Sequence, residues 1–366
     1  MKRRRLLFKI GFVYHKAAFD PVIDLFRQDD RYDVFFALDE ERVRRFFITF
    51  RYRPPIVDQW AREGYRFTEE KSGFDVVIAG DTVRDAPAYG GALLCFLNHG
   101  TGIKNILYRN LSHNLDTRYE IFVEGRYRME RIAESGFQGK SAVHLIGLPK
   151  LDWYFQGRYQ DRAGLLRRWG LDPDRPTVLF APTYKPTCMY DVQDAIFTAT
   201  EQRCNLIIKL HHYSWMGKYA PHRQHRIFER RVKHYPHSVL LPPSEYNIVP
   251  YMAAADTLLS EASSTVFDFL ALGKTGVIYD LPPLFHSDGQ PLLTDDNREF
   301  LKDAFVHVGS PDRLGEAIEQ ALHPTAAMRA AADAQRDYYF YGLDGRASQR
   351  MKDKIEDLLL AERGFR

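Results

Sequence analysis

The stretch "LLCFLNHGTGIKNILYRNL", residues 93–111, sets the fold class of this 366-residue chain. Leu93 to Leu97 form a short, continuous apolar run, the pattern of an interior strand. Gly100 and Gly102 permit a tight turn, and Ile103, Ile106 and Leu107 recur at helical spacing. The stretch therefore predicts strand, turn and helix, which aims backbone N–H groups at whatever lies above the strand end. His99 stands at the mouth of that turn.

The same alternation runs outward in both directions. "LLFKIGFVY" (6–14), "YDVFFAL" (32–38), "DVVIAG" (75–80), "LLCFLNH" (93–99), "EIFVEG" (120–125) and "AVHLIG" (142–147) read as strands, with helical or irregular segments between them. This is the signature of βα units around a parallel sheet. Residues 157–176, "GRYQDRAGLLRRWGLDPDRP", are polar, helical in the middle and closed by Asp-Pro and Arg-Pro, and read as a connection between domains. The pattern then restarts with "TVLFAPT" (177–183), "NLIIKLH" (205–211), "SVLLPP" (238–243), "DTLLSE" (256–261) and "TGVIYD" (275–280). After residue 311 the chain turns helical and ends in an amphipathic segment, "RMKDKIEDLLLAE". The expectation is an α/β protein of two Rossmann-type domains, 1–160 and 161–342, with a last helix, 343–366, packing back toward the first.

Composition fits that class: 45% hydrophobic and 27% charged residues are ordinary globular usage. Cys95, Cys188 and Cys204 have no C-x-x-C spacing, which predicts a reducing compartment, no disulfide framework and no cysteine-based zinc site. The basic start "MKRRRLLFKIGFVYH" is broken by Lys9 and reads as a first strand, not a signal peptide. No apolar run approaches the length of a membrane span, and the location expected is cytoplasmic, with peripheral contact at the inner face of the cell membrane. Charge is uneven, with 13 Lys/Arg against 8 Asp/Glu in residues 1–53. Within them "RVRRFFITFRYRPP" (42–55) interleaves five Arg with Phe46, Phe47, Phe50 and Tyr52. Two readings fit: peripheral contact of residues 42–53 with an anionic membrane at its inner face, or a surface helix with its aromatics in the core. No nucleic-acid motif accompanies these arginines, and no nucleic-acid partner is expected.

In open α/β sheets ligands bind beyond the carboxyl ends of the strands, so the residues following each strand are the candidate site. They are Asn98-His99-Gly100-Thr101, then "GLPKLD" (147–152) with Lys150 and Asp152, then "APTYKP" (181–186) with Thr183 and Lys185. Lys209 with His211-His212 follows the next strand, and Glu261-Ala262-Ser263-Ser264-Thr265-Val266-Phe267-Asp268 a later one. Capping accounts for one hydroxyl at a helix start; three in a row, Ser263, Ser264 and Thr265, point to phosphate. Taken singly, each of these turns has a structural explanation.

Taken in order, the motifs resemble those of the CDP-glycerol glycerophosphotransferases, which build poly(glycerol phosphate) teichoic acids and related capsule polymers. The matching segments are "HGTGIK" (99–104), "GLPKLD" (147–152), "APTY" (181–184), "KLHH" (209–212), "SEASSTVFD" (260–268) and "DGRASQR" (344–350), so the resemblance covers roughly residues 93–350. The chain departs from the family pattern at Gly102 for Pro, Lys150 for Arg, Tyr184 for Trp, His212 for Pro, and Glu261-Ala262 for Asp-Tyr. Lys at position 150 gives up the bidentate fork that Arg offers phosphate.

The resemblance implies a GT-B-like pair of domains whose parallel sheets face a central cleft, the first on the acceptor side and the second holding the nucleotide donor. It implies transfer of glycerol phosphate, or a related polyol phosphate, from a CDP-activated donor to a hydroxyl of a lipid-linked or polymer acceptor, with release of CMP. In that scheme His99 is the catalytic base and His211 bonds the diphosphate. Lys150, Thr183, Lys209, Ser263, Ser264, Thr265 and Asp268 hold the donor, and Gly100 and Thr101 form the turn beside the base. Lys185 is a further candidate counter-charge, while Arg350 and Asp344 dock the last helix. No Asp-x-Asp pair stands at a strand end, so neither a metal nor a resident cofactor is expected; the histidines 211, 212, 222 and 225 lack zinc-ligand spacing. A sugar-nucleotide glycosyltransferase or a UDP-N-acetylglucosamine 2-epimerase is the alternative on the same scaffold, since "IAGDTV" (78–83) is similar to an epimerase turn. A non-catalytic envelope-assembly binding protein is a second alternative.

Overall fold

A computed structural model of the protein describes the chain apart from residues 1–2, 12, 39–40, 46–47, 53–55, 84, 99, 102–105, 137, 217–222, 262, 283–284, 286–288, 290–299 and 365–366. At 13–14, 41–45, 48–52, 56, 106 and 362–364 the backbone alone is described. Contacts divide the chain into two compact units: residues 1–99, 106–156 and 338–366 form the first, and residues 100–105 and 157–337 the second.

The first unit contains β1 (Arg4–Ile10), β2 (Tyr32–Leu38), β3 (Glu41–Arg45), β4 (Ile48–Tyr52), β5 (Val76–Ala79), β6 (Leu93–Leu97), β7 (Glu120–Val123) and β8 (Ala142–Leu145). Six of these form one sheet in the order β2-β1-β5-β6-β7-β8, parallel throughout. β5 is buried along its whole length, which is why it reads as an unbroken apolar run, and β7 is buried throughout with its Glu120 included. The first strand ends at Ile10 and not at Tyr14: Val13 already begins the helix Val13–Arg27.

Of residues 42–55, the described ones, 42–45 and 48–52, are strand and not the surface helix of the second reading; 46–47 and 53–55 lie outside the described residues. β3 and β4 pair antiparallel, with Val43 opposite Phe50 and Arg42 opposite Arg51. Val43, Ile48, Thr49, Phe50 and Tyr52 favour extended backbone.

The second unit contains β9 (Thr177–Phe180), β10 (Asn205–Ile208), β11 (Ser238–Leu240), β12 (Thr257–Ser260), β13 (Gly276–Tyr279) and β14 (Val306–Val308). They form a parallel sheet in the order β11-β10-β9-β12-β13-β14. The chain builds outward from β9 on one side, then returns to build from β12 on the other. The crevice beyond β9 and β12 is therefore the topological switch point, where open α/β sheets bind ligands. β14, absent from the sequence-predicted strands, is three residues long with His307 at its centre.

The last helix, Ala347–Gly364, lies in the first unit and packs against Val13–Arg27. Its buried positions, Ala347, Ser348, Met351, Lys352, Ile355 and Leu359, fall on one stripe. Lys352 extends its stem over that stripe and places Nζ 2.8 Å from Asp29.

Candidate active site

The switch point of the second unit is built by two short chain segments. Leaving β9, Ala181 continues the ladder by donating its N–H to the Leu259 carbonyl at 3.0 Å, and the Ser260 hydroxyl donates to the Ala181 carbonyl at 2.7 Å. Two residues later the buried Thr183 donates its N–H to Glu261 Oε1 at 2.6 Å, and its hydroxyl donates to the Pro186 carbonyl. Glu261 is fully buried, and its other oxygen accepts the Cys188 thiol at 3.2 Å. Burial first, and the neighbouring carboxylate second, push that thiol well above its usual range, so it remains a protonated donor.

Past β12, Ser263 caps the helix Ser264–Ala271, its extended backbone (φ −129°, ψ 148°) letting Oγ accept the Thr265 N–H at 3.3 Å. The Thr265 hydroxyl donates to the same oxygen at 2.9 Å. Two of the three clustered hydroxyls thus satisfy each other and the helix start, and Ser264 opens the helix. Gly100 and Thr101, which group with this unit, lie alongside: a Cβ on Gly100 would come within 3.2 Å of Ser264 Cβ and Oγ. Thr101 is 3% exposed, and its hydroxyl has no hydrogen-bond partner among the described residues. Asp268, four residues into the helix, is fully buried. His99 itself and Ala262 lie outside the described residues.

Beyond β10, Lys209 donates its N–H to the Phe180 carbonyl at 2.9 Å and its Nζ to the Leu210 carbonyl at 3.3 Å. His211 then starts a tight turn in which its Nδ1 accepts the Tyr213 N–H at 3.2 Å. A neutral imidazole that accepts at Nδ1 carries its proton on Nε2, so His211 presents a donor there. Its ring is held by Tyr184 and Tyr213, with centroids 4.6 and 5.5 Å away. The adjacent His212 is pushed down to about 4, by burial and then by the Lys209 charge, and is neutral near pH 7. A buried amide braces both loops: Gln224 donates to the Tyr184 carbonyl at 2.8 Å and accepts the Ser214 hydroxyl at 2.9 Å, while Ser214 donates its N–H to the His211 carbonyl at 2.9 Å. His225 bonds the Ser214 carbonyl at 2.9 Å and stacks on Trp215 at 5.0 Å, a packing role. His222 lies outside the described residues; among those described, no group of three or more His, Cys, Asp or Glu is placed to hold a metal.

In the first unit, "GLPKLD" and "DGRASQR" interlock. Gly147 has φ +94°, and a Cβ there would meet the Tyr341 carbonyl at 2.5 Å, so only glycine fits. Arg350 donates to the Ile146 carbonyl at 2.7 Å and pairs with Asp344 at 2.9 Å. The buried Asp152 carboxylate accepts the N–H groups of Ala347 and Ser348 at 3.1 and 2.6 Å. Lys150, on the short turn Pro149–Leu151, is half-buried. The helix Ile106–Ser112 is anchored by Tyr108, whose hydroxyl accepts from the buried Arg128 at 2.9 Å while Arg128 pairs with Glu124 at 3.0 Å. Sequence reading passed over Gln224, Glu124 and Arg128; only the i,i+4 spacing of the last two gave a local signal.

The model of the family described as CDP-Glycerol:Poly(glycerophosphate) glycerophosphotransferase matches residues 97–357. The chain belongs to this family. The glycerophosphotransferase match spans every site motif described above. Among solved structures the chain is similar to the wall teichoic acid polymerase TagF: one structure, a variant soaked with CDPG, gives TM-score 0.68 at 14% identity, covering 99% of this chain and 90% of that one. Another gives TM-score 0.66 at 13% identity, with coverage of 98% and 89%. The UDP-GlcNAc 2-epimerase from Neisseria meningitidis bound to UDP-GlcNAc gives TM-score 0.59 at 12% identity, covering 96% of this chain and 100% of that one. At such identities the likeness carries the fold, a GT-B-like α/β architecture, and TagF and the epimerase share it. Among curated proteins none matches. No helix among the described residues is long and apolar enough to cross a membrane.

Proposed function

We propose that this glycerophosphotransferase moves glycerol phosphate, or a closely related polyol phosphate, from a CDP-activated donor to a hydroxyl of a lipid-linked or polymer acceptor, releasing CMP. The observation that supports it most is the Ser263–Thr265 helix start beside the buried Thr183 turn at the switch point of the second unit, within a chain segment that matches the glycerophosphotransferase model. A helix N-terminus with hydroxyls is suited to phosphate oxygens.

In the proposed reaction the acceptor oxygen attacks the phosphorus that carries glycerol. The P–O bond to CMP breaks, and the acceptor proton passes to His99. Phosphoryl transfer asks the protein chiefly to position groups and neutralise charge, and a neutral imidazole near pH 7 suits the proton. His211, with its proton on Nε2, donates to the diphosphate as charge develops on the leaving CMP. Lys150 and Lys209 supply counter-charge, the hydroxyls of Ser263 and Ser264 with the N–H groups of the helix start hold the phosphates, and Thr183, Thr265 and Asp268, the first two with their donors already engaged, brace the turns that present them. Gly100 and Thr101 set the turn beside the base. No metal or resident cofactor enters this scheme. Teichoic-acid or capsule polymer synthesis is the setting that family membership and the likeness to TagF favour. The arginine-rich hairpin within residues 42–53 is proposed to touch an anionic bilayer, which would bring the enzyme to a lipid-linked acceptor.

The test is a donor screen: CDP-glycerol, CDP-ribitol and common UDP-sugars, with and without a lipid-linked acceptor, with released CMP and UDP measured. Acceptor-dependent CMP from a CDP-polyol is expected. UDP release identifies a glycosyltransferase, turnover of a UDP-sugar without release an epimerase, and no turnover of any donor a binding protein.

A further inference from the structure

We propose that Glu261 is a positioning residue for the donor site: its buried carboxylate fixes the turn after β9 to the head of the helix after β12, and so sets the geometry of the phosphate cradle. The proposal rests on the function given above and adds a residue whose type departs from the family pattern, where Asp stands at this position.

Both carboxylate oxygens are occupied by donors from the facing loop. Oε1 accepts the Thr183 N–H at 2.6 Å and Oε2 accepts the Cys188 thiol at 3.2 Å. Glu261, Cys188 and Thr183 are 0%, 0% and 4% exposed, so water cannot replace these bonds. Carboxylate oxygens accept, and each of the two meets a donor here. Glu261 immediately follows β12, two residues before the cap Ser263, and Thr183 lies three residues beyond β9. The carboxylate therefore spans the crevice between the two strands at the switch point, where the cradle is built. Aspartate is one methylene shorter, and from the same backbone it cannot make the 2.6 Å bond to the Thr183 N–H unless one of the two loops moves.

The prediction runs against family preference: Glu261→Asp, which installs the family's residue, harms this enzyme more than Glu261→Gln does. Gln keeps an amide oxygen for the Thr183 N–H, turns its NH2 to the Cys188 sulfur, a weak acceptor, and stays within about threefold of the parent kcat. Asp and Ala no longer reach the Thr183 N–H and lower kcat by roughly 10- to 100-fold. The experiment measures kcat and KM for CMP release by E261Q, E261D and E261A, their melting temperatures, and hydrogen–deuterium exchange of the segment containing Thr183. Faster exchange there in E261D and E261A, with the E261Q rate near that of the parent, supports the tie even if no CDP-polyol is turned over, in which case the proposed function fails and the positioning role stands. An active parent whose E261D variant keeps its kcat, KM and exchange rates overturns the proposal. So does a loss in E261A that vanishes once activity is counted per folded molecule.

Discussion

The Asp152 carboxylate accepts the Ser348 backbone N–H at 2.6 Å, joining chain positions 196 residues apart. This bond, with the companion bond from Ala347, satisfies the first turn of the last helix and closes the first unit around a chain that has passed through the second. Asp152 sits inside one family motif and Ser348 inside another, so part of that pattern records how the fold closes. Asp152→Ala should destabilise the protein by about 1–2 kcal/mol, the usual worth of a helix cap. Thermal or denaturant unfolding checks it, and an unchanged melting temperature would show that the cap carries no stability.

His211 should respond as a charge-stabilising donor. Replacing it with Ala removes the Nε2 donor and should lower kcat about 10²- to 10³-fold, as for loss of one such donor elsewhere. His211→Asn, whose amide reaches only to the position of the Nδ1 acceptor, should not rescue it. The melting temperature should move little, because the turn has a second brace in Gln224. Steady-state CMP release and a melting curve on the same preparation decide between a chemical and a folding role.

Acid should loosen the second unit at His212. The ring titrates at 6.5 when exposed and at about 4 in the folded chain, so between those values the unfolded chain binds the extra proton. Its contribution is therefore full above pH 6.5 and falls as the pH drops toward 4. His212→Asn should flatten that part of the melting-temperature profile while leaving the neutral and alkaline part in place. A variant profile parallel to that of the parent from pH 7 down to 4 would contradict this.

The approach of Gly100 to Ser264 leaves little room for a methyl group. Gly100→Ala puts a Cβ 3.2 Å from Ser264 Cβ and Oγ, close enough to push the helix start aside. Activity should fall about tenfold or more. The double variant with Ser264→Gly should recover the melting temperature without recovering activity, since the hydroxyl is then gone. Melting curves and kcat of the single and double variants read the two effects separately.

Much of the fold was legible because its central strands are buried on both faces and so read as short apolar runs: "TVLF", "NLII" and "GVIY" need no partner to be recognised. β14 was not, since three residues with a histidine in the middle carry no period. The β3–β4 hairpin was missed because its arginines hide the alternation that marks a strand. At the site, sequence order alone located the loops around Thr183, His211 and Ser263. It could not show that Glu261 reaches Thr183, that Gln224 braces Tyr184, or that Asp152 caps a helix far along the chain. Those bonds depend on which strands become neighbours, and no local pattern encodes that.

The most direct measurement is acceptor-dependent CMP release from CDP-glycerol by the unaltered chain and by its His99→Ala variant, side by side. Steady release by the first and a loss of at least about a hundredfold in the second, with both folded, is the expected result, the usual range for a general base being 10²–10⁴. Equal rates from the two would contradict the role given to His99. Absence of CMP from the unaltered chain, with UDP formed from a UDP-sugar, would contradict the reaction itself.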